Sequence, residues 1–282
     1  MKFRLLSIAV AICASTFILS GQTPADSLIL SKVDWQWKDL GRGAQSGHAQ
    51  FEIFGNVRNI SIVRYPARKH HTSIFSQTRE LSNTTDSLAR RAGALYAING
   101  SYFNMKEFTP TTFLAINHEV LSPDDCETGE RGTAIIAVKK KNGRKIEIFK
   151  AAPEEFNSIS QKYYACMASG PLLLKDGQIV SNNPETSFNK TEHPRSIVGV
   201  TADGWVYMIV ADGRMAPNAT GLSVAQESAF CKWMGLKDAL NLDGGGSSAI
   251  WTAEDGVLNC PCDNSKFDHK GTRRVPNIIG VQ

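Results

Sequence analysis

The sequence predicts an α+β fold: a single domain of curved, mostly antiparallel or mixed β-sheets with a few helices packed against them. Apolar, β-rich runs alternate with turn dipeptides, which is typical of β-hairpins. Two segments carry helix signals, and each leads directly into a short apolar strand. Hairpins and helix-to-strand units in one chain favour this fold class. No internal repeat or flexible linker divides the 282 residues into separate domains.

Three hairpins are predicted along the chain. The clearest consists of strands at 196–201 and 205–210 around the turn Ala202-Asp203-Gly204. Aspartate and glycine suit such turns because they tolerate the backbone conformations of a tight reversal. The other two hairpins join strands 135–138 and 146–149 across Asn142-Gly143, and strands 171–174 and 179–180 across Asp176-Gly177.

Two helices are predicted, at 85–92 and at 224–234. The second begins with a capping box formed by Ser223 and Gln226, and it ends at Gly235. In a capping box, each of the two side chains bonds the backbone N–H of the other residue, which satisfies donors that the first helical turn leaves unpaired. These signals fix the position of the second helix more firmly than that of the first.

Each predicted helix leads into a buried strand that ends in a polar turn. Strand 95–98 is followed by Asn99-Gly100-Ser101, and strand 239–242 is followed by Asp243-Gly244-Gly245. Functional residues are common on such turns because the scaffold positions them. We therefore expect the functional site at the ends of these strands.

Residues 1–21 have the pattern of a secretory signal peptide. Lys2 and Arg4 precede an apolar run at 5–19, and the small residues Ser20 and Gly21 follow it. The run of roughly 15 residues is too short for a membrane hydrocarbon core, which requires about 20. We expect the mature protein to be soluble, without stable membrane insertion, and to be exported to a periplasm or secreted.

The mature chain is expected to form one domain. Residues 22–94 would be its N-terminal β-rich part, and residues 95–282 its catalytic region. The formal net charge of +4 falls to +2 when the two cations of the signal peptide are removed. This near-neutral balance gives no electrostatic argument for a nucleic-acid partner. Nothing in the sequence indicates an oligomeric state.

Five of the six cysteines lie outside the predicted signal peptide. An odd number leaves at least one free thiol, and Cys231, inside a predicted helix, is the best candidate for a buried one. The segment Cys260-Pro261-Cys262 suits a disulfide or free thiols better than zinc, because zinc-binding cysteines are usually spaced further apart. Four cysteines could pair in an oxidising compartment, with the pairing left open: Cys126, Cys166, Cys260 and Cys262.

The turn after the second buried strand has an unusual composition. Asp243 is followed by three glycines at 244–246 and by Ser247 and Ser248. Three successive glycines remove every Cβ, so a ligand can approach the backbone N–H groups directly. They also allow the positive φ angles of an anion-binding nest. A flexible linker is the alternative, but an acid at a strand edge and the apolar residues that follow favour a site.

Charged residues also flank the clearest hairpin. His193-Pro194-Arg195 precedes its first strand, and Asp212-Gly213-Arg214 follows its second. Arg195 and Asp212 are therefore expected at the same end of adjacent strands, with the cation beside the carboxylate. A purely structural ion pair is the alternative interpretation, since such pairs are common outside functional sites.

Five motifs occur in an order that resembles the phosphodiester glycosidase family. The resemblance covers roughly residues 95–281, and Arg273-Arg274-Val275-Pro276-Asn277 is similar to the closing arginine motif of the family. The motifs are Ala97-Ile98-Asn99-Gly100-Ser101-Tyr102-Phe103, Ser169-Gly170-Pro171, His193-Pro194-Arg195, Ala211-Asp212-Gly213-Arg214, and residues 241–248. The resemblance implies hydrolysis of a sugar-1-phosphodiester, with N-acetylhexosamine as the expected sugar, to free sugar and a phosphomonoester.

The resemblance also implies the site residues. Asp243 and Asp212 fall on catalytic positions, and Arg273 matches the family arginine better than Arg274 does. The implied substrate-binding residues are Arg195, Arg273, Asn99, Gly100, Asn241, Gly244, Gly245, Gly246, Ser247 and His193. Many relatives have a glutamate at the position of Gln226, but its place in a capping box suggests a helix cap rather than a catalyst. Glu227 points about 100° away around the helix and would not replace it.

A mechanism follows as a hypothesis. Phosphate leaves readily as an anion, so the usual pair of catalytic carboxylates is not obligatory. Arg195, Arg273 and the backbone N–H groups of 244–247 would hold the phosphate. Asp243 is the first choice for a carboxylate near C1, as base or nucleophile, and Asp212 is the second. Asn99 and Asn241 would bond sugar hydroxyls or an acetamido group.

Two other functions fit the same residues. One is a phosphodiesterase that cuts the P–O bond, and the other is a non-catalytic envelope protein that binds glycans. No cofactor is required by the hypothesis, although a divalent cation at Asp212 or Asp243 is left open. The sequence contains no phosphate loop, nucleophile elbow or zinc-protease helix.

Overall fold

The computed structural model describes residues 24–78, 80–81 and 83–282. The predicted signal peptide at 1–21 lies outside these residues. Within the described part of the chain, no helix is long and apolar enough to cross a membrane.

Strands dominate the described residues, and every strand pair is antiparallel. The strands are β1 (Gln36–Gly41), β2 (Ala44–Ile53), β3 (Asn56–Pro66), β4 (Thr72–Ser76), β5 (Asn83–Thr84), β6 (Tyr96–Asn99), β7 (Leu114–Ile116), β8 (Glu119–Val120), β9 (Ala134–Val138), β10 (Ile146–Lys150), β11 (Ala165–Ser169), β12 (Leu172–Lys175), β13 (Gln178–Ile179), β14 (Arg195–Val200), β15 (Trp205–Ala211), β16 (Asp238–Asn241), β17 (Ile250–Thr252), β18 (Gly256–Val257), β19 (Arg274–Val275) and β20 (Asn277–Val281).

The helices are few and short. The α-helices are α1 (Pro24–Ser31), α2 (Thr85–Arg91), α3 (Phe156–Lys162), α4 (Ser187–Lys190) and α5 (Val224–Trp233). Single 3₁₀ turns occur at Ala67–Lys69, Glu130–Gly132, Pro153–Glu155, Gly245–Ser247 and Cys262–Asn264. The predicted α+β class, with mostly antiparallel sheets and few helices, is confirmed.

An eight-stranded sheet is the centre of the fold, with the order β1-β2-β3-β15-β14-β16-β12-β13. The predicted hairpin at 196–210 forms β14 and β15, which pair from Arg195 opposite Ala211 to Val200 opposite Val206. Strand β3 pairs with β15 along its length, so the N-terminal strands belong to the same sheet as the hairpin. The predicted hairpins β9–β10 and β12–β13 also form.

Two five-stranded sheets, β10-β9-β11-β7-β8 and β18-β17-β6-β20-β4, pack against one face of the large sheet. Val198 and Val210 point to these sheets, whereas the neighbouring residues Ile197 and Ala211 point to the opposite face and contact the cluster around α5. Successive side chains of a strand alternate between faces. Both faces of β14 and β15 are covered, which explains why their sequences are almost entirely apolar.

Helix α5 covers the second face and begins as predicted. The Ser223 hydroxyl accepts from the backbone N–H of Gln226, and the Gln226 side chain accepts from the backbone N–H of Ser223. The helix ends at Trp233, and Gly235 follows with φ +77. The strands that follow α2 and α5 each start and end one residue away from their predicted limits.

Candidate functional site

A cleft of about 250 Å³ opens at one end of β14, β15 and β16. Strands β14 and β16 are antiparallel neighbours, so the first residue of β14 and the turn after β16 lie at the same end of the sheet. The cleft is lined by Tyr102, Phe103, Met105, Arg131, Phe188, His193, Pro194, Arg195, Arg214, Asp243, Gly244, Gly245, Gly246 and Arg273.

A larger cavity of about 710 Å³ lies at the other end of the same strands, beside Val200, Gly204 and Asp238. Six residues of β14 separate the two openings by roughly 17 Å at about 3.3 Å per residue. None of the predicted site residues lines this larger cavity. The smaller cleft is therefore the candidate site, because it brings together seven of the predicted residues: His193, Arg195, Asp243, Gly244, Gly245, Gly246 and Arg273.

The three glycines of the turn make room for a backbone carbonyl and for arginine side chains. A Cβ on Gly244 would lie 2.7 Å from the carbonyl oxygen of Pro194 and 3.8 Å from Cδ of Arg195. A Cβ on Gly246 would overlap Asp263 and lie 2.6 Å from Cζ of Arg273. Side chains at these positions would therefore displace the carbonyl or the guanidinium from the cleft wall.

Gly245 has a second reason to be glycine. Its φ is +64, a conformation that residues with a Cβ rarely adopt, and a Cβ there would lie 3.1 Å from the guanidinium of Arg214. Glycine at 245 and 246 thus allows Arg214 and Arg273 to approach this stretch of backbone, whereas Gly244 makes room for the carbonyl of Pro194.

Hydrogen bonds within the protein occupy backbone N–H groups of the predicted anion-binding nest. The N–H of Gly245 donates to Pro194 O at 2.8 Å, and the N–H of Ser247 donates to Gly244 O at 3.3 Å. The first bond ties the turn to the segment before β14, and the second belongs to the 3₁₀ turn itself, so neither donor is available to an anion in the cleft. Ser247 is buried and does not line the opening. Two of the four N–H groups expected to grip the anion, those of Gly245 and Ser247, are therefore already bonded, and the guanidinium groups are the principal donors of the cleft.

Arg195 is buried at the floor of the cleft. Its Nε donates to Leu222 O at 2.9 Å, and one terminal nitrogen donates to Phe188 O at 2.8 Å and Thr191 O at 3.1 Å. Its nearest carboxylate is Glu227 on α5, with Nε 3.6 Å from Oε2. These contacts fix the guanidinium in one orientation.

The predicted pairing of Arg195 with Asp212 is wrong. Arg195 lies opposite Ala211 in the hairpin, and both side chains point to the face covered by α5. Asp212 is the next residue, so alternation directs its side chain to the other face. Strand register brings the two residues to the same end of the sheet but separates their charges.

The carboxylate of Asp212 is hydrogen-bonded to other groups of the protein, and the residue does not line the cleft. Its carboxylate accepts hydrogen bonds from Asn59 Nδ2 at 2.8 Å, Asn259 Nδ2 at 2.9 Å and the N–H of Cys260 at 2.9 Å. Burial raises the pKa of Asp212 to about 6, and the three donors partly oppose this shift. The geometry suits a structural anchor that joins β3 to the loop at 259–260.

Asp243 is the carboxylate of the cleft, and no other described acidic residue lines it. Burial raises its pKa to about 6, although the Ser247 hydroxyl, Arg273, Arg131 and the N–H of Gly244 favour the charged form. A carboxylate with this pKa is ionised above pH 6 and can accept a proton or attack an electrophilic carbon.

The side-chain amides of Asn99 and Asn241, which were predicted to bind the sugar, instead donate hydrogen bonds to groups of the protein around the turn that follows β16. Asn99 Nδ2 donates to Asp243 O at 2.6 Å, and Asn99 Oδ1 accepts from Ser196 Oγ at 2.7 Å. Asn241 Nδ2 donates to Tyr102 Oη and to Gly170 O, both at 2.7 Å. Both amides are buried outside the cleft, in contrast to the expectation that they contact the sugar.

Gly100 also lies beneath the cleft. Its carbonyl accepts from the N–H of Asp243 at 3.2 Å, and its own N–H donates to Asn277 O at 3.1 Å. A Cβ at this position would overlap the Asn277 side chain. Gly100 therefore ties β6 to the turn that follows β16 and does not line the cleft, contrary to its predicted binding role.

Two arginines of the cleft were not predicted as site residues. Arg214 has φ +60, and its guanidinium lies 3.4 Å from Nδ1 of His193. Arg131 lies in the 3₁₀ turn Glu130–Gly132, with Cζ 5.2 Å from the ring centre of Tyr102 and 5.6 Å from that of Phe188. Arg214 could have been found, since it ends the motif that contains Asp212. No sequence signal marks Arg131.

The imidazole of His193 is near two of these cations. Burial lowers its pKa, and the charges of Arg195 and Arg214 lower it further. The neutral ring is therefore favoured, and the positive charge of the cleft comes from its arginines.

The interpretation of Gln226 as a helix cap agrees with the structure. Besides completing the capping box, its Nε2 donates to Glu192 Oε1 at 2.9 Å. Glu192 in turn forms an ion pair with Arg58 at 2.7 Å. Gln226 does not line the cleft.

All five cysteines of the described residues are free thiols. Cys231 is buried, as predicted, whereas the disulfides allowed for the other four do not form. In the part of the chain that the structure describes, no group of three or more histidine, cysteine, aspartate or glutamate side chains could hold a metal ion.

Comparisons with known proteins agree with this architecture. A family model described as phosphodiester glycosidase matches residues 92–282. No curated protein sequence matches the chain significantly.

Solved structures share the fold at low sequence identity. The catalytic domain of zebrafish N-acetylglucosamine-1-phosphodiester alpha-N-acetylglucosaminidase, auto-inhibited by its pro-peptide, is similar with a TM-score of 0.68 and 18% identity, over 87% of this chain and 85% of that one. A hypothetical protein from Synechocystis gives 0.64 and 16%, over 88% and 63% of the chains. A putative exported protein from Burkholderia pseudomallei gives 0.60 and 13%, over 80% and 74%.

Proposed function

The chain belongs to the phosphodiester glycosidase family, and on that premise we propose that it is an exported hydrolase that cleaves a sugar-1-phosphodiester. The products would be the free sugar and a phosphomonoester. The name of the zebrafish relative supports N-acetylhexosamine as the sugar. The carbohydrate substrate would lie in a periplasm, the cell envelope or the extracellular space, to which the signal peptide at 1–21 would direct the protein.

One observation carries the proposal: a single carboxylate, Asp243, lies among four arginines in an open cleft. Guanidinium groups bind phosphate oxygens through charge-assisted hydrogen bonds. A glycosidic bond to phosphate needs little proton donation, because the leaving phosphate is already a stable anion. The cleft therefore has what this reaction requires, a clamp for the leaving group and one carboxylate for the sugar carbon.

In the proposed mechanism, Arg195 and Arg273 hold the phosphate and compensate the charge that it gains as the C1–O bond breaks. Asp243 faces C1, where positive charge develops, and acts as base toward water or as nucleophile. Asp212 is the alternative catalyst, but its three internal hydrogen bonds favour a structural role.

Both parts of the chain contribute to the proposed enzyme. Residues 95–282 supply the catalytic groups, and residues 22–94 supply strands that complete the large sheet as part of the same domain.

The proposed reaction requires no cofactor. Treatment with the chelator EDTA tests whether a divalent cation at Asp212 or Asp243 takes part, and turnover is expected to stay unchanged. Loss of turnover that an added cation restores would instead indicate a metal-assisted mechanism.

Hydrolysis in ¹⁸O-labelled water tests the function. A panel of sugar-1-phosphodiesters would be incubated with the protein, and the products would be identified by mass. Cleavage of the C1–O bond places the label in the sugar, which is the expected result. Label in the phosphate would instead establish a phosphodiesterase. Saturable binding with no product from any diester would establish a glycan-binding protein and overturn the proposal.

A further inference from the structure

The positive charge of the cleft exceeds the negative charge of a bound sugar phosphodiester. Four arginines and one carboxylate line it. Arg273 is already paired with Asp263, whose two carboxylate oxygens accept from Nε and a terminal nitrogen at 2.7 Å each. After Asp243 and Asp263 are counted, two positive charges remain. A bound phosphodiester carries one negative charge and offsets only one of them until the C1–O bond breaks, when the leaving phosphate gains a second.

Arg214 stands on one side of the opening and is exposed. Its φ of +60 is costly for a residue with a Cβ, and such conformations persist where the surrounding structure holds them, commonly at functional sites. The guanidinium lies against the backbone of Gly245 and beside His193. Among the described residues, no carboxylate forms an ion pair with Arg214.

Arg131 stands at the other wall, against the faces of Tyr102 and Phe188. Its side chain is 47% exposed, and its one acidic partner among the described residues is Glu127, four residues earlier, at 3.8 Å. A pair at this distance on the surface is weak. The aromatic rings hold the guanidinium over the cleft, and its charge reaches Asp243, whose ionised form it favours.

The hydroxyl groups of a neutral sugar or alcohol lying over these two arginines would replace their hydrogen bonds to water only in part and would leave both charges uncompensated. Such desolvation of an unpaired charge is unfavourable. A negatively charged group would turn the same contacts into charge-assisted hydrogen bonds.

We infer that the substrate carries a second anionic group beside the scissile phosphodiester, and that Arg131 and Arg214 bind it. This inference rests on the proposed function. The group is a phosphate of a neighbouring unit or a carboxylate of an acidic sugar or alcohol, and both would meet the arginines through anionic oxygens. Arg131 and Arg214 then determine specificity, whereas Arg195 and Arg273 bind the phosphate that leaves.

Three diesters of one sugar test the inference. Their alcohols have the same length and end in a hydroxyl, a phosphomonoester or a carboxylate. We expect KM for at least one charged diester to be about tenfold lower than for the neutral one, equivalent to about 1.4 kcal/mol. The charged alcohol with the lower KM identifies the source of the group. The preference should shrink as salt is added, because the interaction is partly exposed.

Substitutions at Arg131 and Arg214 test whether their positive charge causes the preference for a charged diester. The double variant Arg131→Gln, Arg214→Gln should lose the preference, and Arg131→Lys, Arg214→Lys should retain most of it. Arg144→Gln, in the distant cavity, is the matched control and should keep it. If the lysine pair fails to fold, each single glutamine variant should still reduce the preference.

The outcomes are distinguishable. Turnover of all three diesters with equal KM overturns the second anionic group and leaves the proposed function intact. If the protein cleaves none of the three diesters, the proposed function itself is overturned. A preference that survives the double glutamine variant also overturns the assignment to Arg131 and Arg214.

Discussion

The carboxylate of Glu227 lies 3.6 Å from Nε of Arg195, and neither side chain exposes more than 2% of its surface. Within the described chain, no group donates a hydrogen bond to either Glu227 oxygen. Burial raises the pKa of Glu227 to about 8, and the charge of Arg195 opposes the shift only in part. Below pH 8 the carboxyl is therefore mainly neutral, and the charge of Arg195 is free to act on an anion in the cleft.

Glu227 should make substrate binding depend on pH. As pH rises through about 8, Glu227 ionises and offsets the charge of Arg195, so KM should increase. Glu227→Gln keeps the size of the side chain but cannot ionise, and its KM should stay flat from pH 7 to 9. Parallel KM profiles for the protein and the variant would contradict a role for Glu227 in tuning Arg195.

The same substitution should change the pH dependence of stability. A carboxyl whose pKa is higher in the folded than in the unfolded protein stabilises the fold most at low pH. The contribution of Glu227 is complete below its ordinary pKa of 4.5 and is lost as pH rises to about 8. Denaturant unfolding at pH 4 and pH 9 should show that the wild type loses more stability than Glu227→Gln, by several kcal/mol.

Asp212→Asn should affect stability more than chemistry. The new amide would place N–H donors against Asn59, Asn259 and Cys260, which themselves donate to the native carboxylate. We expect a cost of about 1–3 kcal/mol in the free energy of unfolding. Asp124→Asn, at an exposed position, is the control and should be neutral. A folded Asp212→Asn protein with full stability and no turnover would instead identify Asp212 as the catalyst.

Gly246→Ala should disturb phosphate binding through Arg273. A Cβ at this position would overlap Asp263 and crowd the guanidinium, so the ion pair must move. We expect KM to rise by about tenfold or more, equivalent to about 1.4 kcal/mol. Gly129→Ala is a matched control, because a Cβ on Gly129 would meet no atom within 4 Å and the φ of this residue is −71. Equal KM values for the two variants would count against the steric role of the glycines.

Gln226→Glu should not increase activity. Glutamate preserves the capping box. However, it replaces the Nε2 donor to Glu192 with a second negative charge. We expect a loss of about 1 kcal/mol in the free energy of unfolding and an unchanged kcat. A large gain in kcat would mean that an acid at this position is catalytic and that its absence impairs this chain.

The hairpin β14–β15 and the helix α5 were predictable because local signals determine them. Turn residues fix the reversal at 202–204, and the capping box fixes the start of the helix. The order of strands in the large sheet was not predictable, since pairing of β3 with β15 joins residues more than a hundred positions apart.

The sequence predicted several of the residues that line the cleft but not the structural roles of the residues around it. Arg195, Asp243 and Arg273 meet in one cleft, as the motifs indicated. The roles of Asn99, Asn241 and Asp212 depended on which face of a strand each side chain occupies and on partners far away in the chain. Ser196 and Asn259 carry no local signal that links them to Asn99 and Asp212, and Gly170, although it belongs to a motif, lies 71 residues from Asn241 in the chain.

The most direct test is the turnover number of Asp243→Asn on a sugar-1-phosphodiester that the wild type cleaves, measured beside Asp212→Asn at pH 7.5. If Asp243 is the carboxylate that acts at C1, its amide variant should lose at least roughly a hundredfold in kcat while remaining folded. Asp212→Asn should retain most of its kcat for each folded molecule. Near-wild-type kcat in Asp243→Asn would contradict the account.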